Sequence, residues 1–229
     1  MKSFTLTLIF SVLAFTPLLA QSTTRVTVED NNIEYALKDH LYRFPSFTNG
    51  KVFLPNGRFN TAKLNLNMLY DQMQFIDDKK DTLTILSPEQ LHHVEIDGKT
   101  FIYHNEGFLE VIENYETVSL AVSRKLKIAD RQQEGAYGSK SSTASISNIG
   151  SAFTDKLRYN PSVYEDLLVN ISEEFYLIDE EWKISPLNKK NVLRAFPERK
   201  NEISTFLKEN RTNFKKESSV KELMKIAAQ

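Results

Sequence analysis

The chain has 229 residues, 41% of them hydrophobic and 26% charged, and its 29 basic and 30 acidic side chains leave a formal net charge of -1. That balance carries no global positive field to draw nucleic acid. The absence of Cys excludes disulfides, thiolate nucleophiles and cysteine-based metal sites together. Fifteen Phe and nine Tyr against seven Gly and seven Pro describe a chain that packs rather than one that stays disordered, and at this length roughly 70% of the unfolded surface can be buried.

Residues 1–20, MKSFTLTLIFSVLAFTPLLA, read as a secretory signal peptide. Lys2 and the terminal amine form a positive n-region, Phe4 to Leu19 an apolar stretch, and Leu18-Leu19-Ala20 a cleavage site before Gln21. The stretch falls short of the roughly 20 apolar residues of a spanning helix and contains Pro17. With no Cys to carry a lipid at the new N-terminus, the expected product is exported and soluble, in the periplasm or at the cell surface, with no transmembrane span after cleavage.

Residues 21–40 form a polar lead-in, with one short strand at Arg25 to Val28. From 41 to 130 the sequence repeats one pattern, short runs of Val, Ile, Leu, Phe and Tyr separated by turn dipeptides, which predicts an antiparallel β-meander. Asn49-Gly50, Asn56-Gly57 and Asp97-Gly98 are the turn signals, because Gly, Asn and Asp tolerate the positive φ of tight hairpin turns. Alternation places Ala62, Leu64, Leu66 and Met68 on one face and Lys63, Asn65 and Asn67 on the solvated other. Further strands are expected at 72–76, 82–86, 92–96, 100–104, 108–112 and 117–122. Strand twist accumulates over so many strands, so the sheet should curl into a half-barrel or a small sandwich.

Residues 131–152, rich in Ser, Thr and Gly, are expected to be a flexible loop. Beyond it, 153–229 should hold a last hairpin from Phe175 to Ile184 and three short C-terminal helices packed on the sheet. The helical stripes are Val192, Leu193 and Phe196; then Ile203, Phe206 and Leu207; then Val220, Leu223, Met224 and Ala227. Ser219 with Glu222 has capping-box spacing. The fold class expected is therefore α+β: a curled antiparallel β-meander with a C-terminal helical segment.

Candidate chemistry is sparse. If Asp97-Gly98 is a two-residue turn, Ile96 pairs with Lys99 and Glu95 with Thr100, which sets His93, Glu95 and His104 on one face. Two imidazoles and a carboxylate are a ligand set for zinc or non-haem iron. Against that, Val94, Ile96, Phe101 and Tyr103 take the core side and leave the trio on the solvated one. Gly135 to Ser141 lacks the glycine-to-glycine gap of a phosphate loop, and Ser218 to Lys221, a Ser-x-x-Lys match, reads as a helix start. The acidic pairs Asp77-Asp78, Glu173-Glu174 and Glu180-Glu181 point to opposite sides of their strands and read as solvating charge. No cofactor is implied. The aromatics Tyr35, Tyr42, Phe44, Phe47, Tyr159, Tyr164, Phe175, Tyr176 and Trp182 could line a groove or fill a core.

Three stretches carry a resemblance: Ala62 to Ile76 (AKLNLNMLYDQMQFI) followed by Asp81-Thr82-Leu83, Glu134-Gly-Ala-Tyr-Gly138, and Phe206-Leu-Lys-Glu-Asn210 leading to Asn213-Phe214-Lys215. In these the chain resembles uncharacterised exported proteins of Gram-negative bacteria, a family of unknown function. The resemblance implies export and supplies no catalytic residue. Sequence therefore leaves three readings: a non-catalytic binding or interaction protein of the envelope whose partner is a protein or ligand, a metal-dependent hydrolase using His93, Glu95 and His104, and a periplasmic carrier of a hydrophobic ligand. Expressed with its leader in a Gram-negative host, the chain should be recovered from the exported fraction with Gln21 as its first residue, as read by N-terminal sequencing.

Overall fold

In the computed structural model the residues described are 23–28, 33–134, 140–143 and 166–228. Twelve strands form one open antiparallel sheet, and helices complete an α+β fold. The first half runs β1 (Thr24–Thr27), α1 (Ile33–Ala36), α2 (Lys38–Leu41), β2 (Thr48–Phe53), β3 (Phe59–Asn67), β4 (Gln72–Ile76), β5 (Thr82–Thr84), β6 (His93–Ile96) and β7 (Lys99–His104). It continues with β8 (Gly107–Asn114), β9 (Val118–Glu134), β10 (Lys140–Thr143), β11 (Asp166–Asp179), β12 (Ile184–Pro186), α3 (Lys189–Ala195), α4 (Lys200–Glu209) and α5 (Glu217–Ala227). Strand order is β1-β11-β9-β8-β7-β6-β2-β3-β4-β5, with β10 beside β9 and β12 beside β11. The chain thus makes two meanders, β2–β5 and β6–β9, joined where β6 returns to pair with β2. No helix among the described residues is long and apolar enough to cross a membrane.

The Asp97-Gly98 turn forms as expected, with φ 50° and 71°, and Ile96 faces Lys99 while Glu95 faces Thr100. Asn49-Gly50 does not form a turn. Both residues lie within β2, and Gly50 is there because its neighbours are close: a Cβ would stand 2.5 Å from the Glu95 carbonyl oxygen and 2.8 Å from Leu64. Here glycine answers close packing of two strands rather than a positive φ.

The expected alternation along β3 is only half right. Leu64, Leu66 and Met68 are buried, but so are Asn65 and Asn67. The segment after α2 crosses their face, and Asn65 pairs with the Phe44 backbone in both directions, Phe44 N donating to Oδ1 at 3.1 Å and Nδ2 donating to the carbonyl at 2.9 Å. Asn67 Oδ1 accepts from Leu69 N and Tyr70 N, shaping the β3–β4 tip. That tip reaches across to β8 and β9: Leu126 N donates to Met68 O at 2.9 Å, Phe108 N donates to Asp71 Oδ1 at 3.0 Å, and Lys125 Nζ sits 2.9 Å from Asp71 Oδ2. Gly107 permits the approach, since a Cβ there would overlap the Asp71 carboxylate.

The lead-in is more ordered than its polarity suggests. β1 adds to β11, with Val26 opposite Leu167, and Leu37 and Leu41 of the first two helical turns are buried with Met68 and Ile128. Of the stretch expected as a flexible loop at 131–152, residues 131–134 and 140–143 are strand, since β9 runs on to Glu134 and pairs with β10; residues 135–139 and 144–152 lie outside those described, as do Tyr159 and Tyr164. The three C-terminal helices cover the β9–β11 part of the inner face, where Val192, Ile203, Val220, Leu223 and Met224 pack on Leu120, Val122, Phe175 and Leu177. The last helix starts earlier than its capping-box spacing suggests. Lys216 is the N-cap and Ser219 falls inside the helix, because Glu217 in the first turn is drawn into an ion cluster on the sheet.

Arg124 of β9 is the centre of that cluster. Its Nη1 reaches Glu110 Oε2 at 2.6 Å, its Nε Glu173 Oε1 at 2.9 Å, and its Nη2 Glu217 Oε2 at 2.6 Å. Glu110 lies on the inner face opposite Phe101 and Val122, is 3% exposed, and also receives Arg43 at 2.7 Å and Lys99 at 3.1 Å. Burial alone would raise the Glu110 pKa, but the hydrogen bond from Arg43, the charges of Arg124 and Arg43, and Lys99 together hold it below its ordinary 4.5. Burial likewise pushes Glu217 up, and its pairing with Lys221 and Arg124 outweighs it.

Replacing Arg124 by Leu removes the cation shared by three carboxylates, leaving Glu110 to Arg43 and Lys99 and Glu217 to Lys221, and should lower stability by about 3 kcal/mol in urea unfolding. Because the folded-state pKa of Glu110 is depressed, its contribution is complete above the ordinary value of 4.5 and is lost as pH falls from there through the folded value. Glu110→Gln should therefore lower stability at neutral pH while flattening the acid limb of the stability curve below that point.

Candidate functional site

The outer face of the sheet holds a second apolar cluster, built from Ile102, Leu109, Ala121 and Ile178. It exists because strand register aligns apolar residues on this side too: Ile102 faces Leu109, and Val111 faces Ala121, which faces Tyr176. Over part of it lies an open pocket of about 310 Å³, floored by Ile102, Val111 and Ile178 and rimmed by Thr100, Asn114, Ser119, Asp179, Glu180 and Trp182. This is at the small end of the range of ligand sites, about 300–1,000 Å³.

A β-bulge supplies one of the polar rim residues. Between Val111 and Glu113 the β8 register slips, so that Asn114, not Glu113, stands opposite Ser119. Ser119 Oγ donates to Asn114 Oδ1 at 2.7 Å, which leaves the Asn114 amide nitrogen as a donor at the rim. Bulges re-aim side chains in this way. Regular pairing would have put the carboxylate of Glu113 in the amide's place.

The β11–β12 turn forms the opposite wall. Asp179 organises it: Oδ1 accepts from Glu181 N at 3.1 Å and Lys183 N at 2.8 Å, and the carbonyl accepts from Trp182 N at 3.0 Å. Trp182 then occupies the left-handed region with φ 61°, where a bulky side chain costs about 1–2 kcal/mol. The residue is nevertheless 50% exposed. It meets His92 edge-on at 4.8 Å, and from there aromatic rings follow one another across the sheet, His92 to His93 at 4.9 Å, His93 stacked on Phe53 at 4.3 Å, and Phe53 against Phe59 at 5.3 Å.

The trio His93, Glu95 and His104 is divided by this arrangement. His93 Nε2 lies 3.5 Å from Glu95 Oε1, but His93 is stacked in the aromatic row and its Nδ1 is 2.7 Å from His92 Nδ1. Burial first, and then the adjacent His92, lower the His93 pKa below 6.5 against the pull of Glu95. His104, at the far end of β7, packs against Tyr176 at 6.1 Å. Among the described residues no group of three or more His, Asp or Glu is placed to hold a metal ion.

Of the aromatics singled out in the sequence, Phe44 and Phe175 are core, Tyr42 packs on Phe47 at 5.2 Å, and Trp182 is the one at the pocket. Asn114 and Ser119 carried no signal, since only the bulge brings them together. The Glu180-Glu181 pair read as solvating charge, yet Glu180 is a rim residue. Gly at position 182 should be more stable than Ala there by about 1 kcal/mol in chemical unfolding, since both lose the indole and only Gly relieves the backbone.

Comparison with protein-family models, with curated proteins and with solved structures finds no match, so the reading of this pocket rests on its own geometry.

Proposed function

We propose that this chain is an exported, non-catalytic binding protein of a bacterial envelope and that the outer-face pocket beneath Trp182 receives its ligand. The observation that carries the reading is the Trp182 side chain itself, held half exposed over a concave apolar floor by the Asp179 turn. The apolar signal-like leader supports export, as does the resemblance to exported proteins. A half-barrel describes the sheet best, since the β3–β4 tip is hydrogen-bonded back onto β9. Such a curl gives the two faces separate roles, the inner one closed by helices and the outer one open to ligand.

The apolar floor is also what a carrier of a hydrophobic ligand would use. Its polar rim, with two carboxylates, an amide and two hydroxyls, suits a ligand that has polar groups as well. The chain has a single Trp, so its emission reports directly on the pocket. Small-molecule fractions of an envelope extract should shift that emission in the mature protein and not in Thr100→Arg, and mass spectrometry should recover the bound molecule chemically unchanged. A conversion product, or no responding fraction at all, would count against the proposal.

A further inference from the structure

Resting on that reading of the pocket, we infer that its ligand is a small alkylammonium, with the hydrocarbon part on the floor and the charged nitrogen between the indole and the carboxylates of Asp179 and Glu180. The inference starts from the cavity and its aromatic wall, and the carboxylates then decide the sign of the charge. Of the lining residues two are acidic and none is Lys, Arg or His, so an anionic ligand would meet like charge on entry. Lys183, in the same turn, is not part of the lining.

The nitrogen has three kinds of partner within the rim. Asp179 commits Oδ1 to its own turn, and its Oδ2 takes no part in those bonds. Thr100 and Ser119 bring hydroxyl oxygens. The Trp182 face adds the negative side of a ring quadrupole, for which Trp is the strongest of the aromatic side chains. Ile102, Val111 and Ile178 exclude water from the hydrocarbon part, which strengthens the charge interactions beside it. An uncharged alcohol of the same shape would gain the floor and lose both the ion pairing and the cation–π contact.

The test uses the mature full chain at pH 7 and reads Trp182 emission during titration with cyclohexylammonium and with cyclohexanol. The amine should bind about tenfold more tightly than the alcohol, and raising the ionic strength from about 0.02 M to about 0.5 M should erode that advantage. Asp179→Asn keeps an oxygen to cap the turn, so the double variant Asp179→Asn/Glu180→Gln removes charge while keeping shape. In it the preference should fall to less than about twofold with the alcohol response unchanged. Equal binding of amine and alcohol by the parent, a preference that survives in the double variant, or no response to the amine would overturn the ammonium assignment and leave the pocket itself standing. An amine response that persists undiminished in Thr100→Arg would overturn the pocket as the site, and the assignment with it.

Discussion

One guanidinium holds the molecule's layers together. Arg124 meets carboxylates from β8, β11 and the start of α5 with three different nitrogens, so a sheet residue, its neighbour and a helix far away in sequence share a single fixed fork. Arginine suits that place because its donors are planar and rigidly spaced and its charge is retained in a dry setting. Glu110 extends the cluster to Arg43, which ties the segment after α2 to the same point.

Two further close approaches join strands that are distant in sequence, and each needs a residue without a side chain. Asp71 reaches Phe108 N and Lys125 only because residue 107 has no side chain, and β2 approaches β6 closely only because residue 50 has none. Polar groups buried in pairs, Asn65 on Phe44 among them, cover a face that a simple alternation of apolar and polar residues would leave solvated. Each is satisfied by a specific partner, as burial of a polar group requires.

With the inner face sealed, the outer face is free to differ. It carries a modest apolar cluster, an aromatic row running from Phe59 to Trp182, and a pocket whose polar rim is assembled from a bulge, a strand and a strained turn. The left-handed Trp182 and the re-aimed Asn114 both depart from local rules, and both departures sit on that one rim.

Much of this was legible in the sequence. The spacing of β-branched and aromatic runs dictated an antiparallel α+β fold, Asp97-Gly98 set the register of its hairpin, and the 3.6-residue stripes marked three C-terminal helices, because each of these signals is local. Periodicity could not distinguish Asn49-Gly50 as a close strand contact from a turn, or tell that Asn65 would be buried, since Gly50 is decided by Leu64 and Glu95 and Asn65 by Phe44, 21 residues away. It set His93, Glu95 and His104 on one face but could not see that His93 would stack on Phe53 while His104 meets Tyr176 edge-on. The pocket was the least legible feature of all. Composition and local pattern determine which residues face in and which face out, whereas a site made from β7, β8, β9 and the β11–β12 turn comes into being only when tertiary packing sets those four pieces side by side.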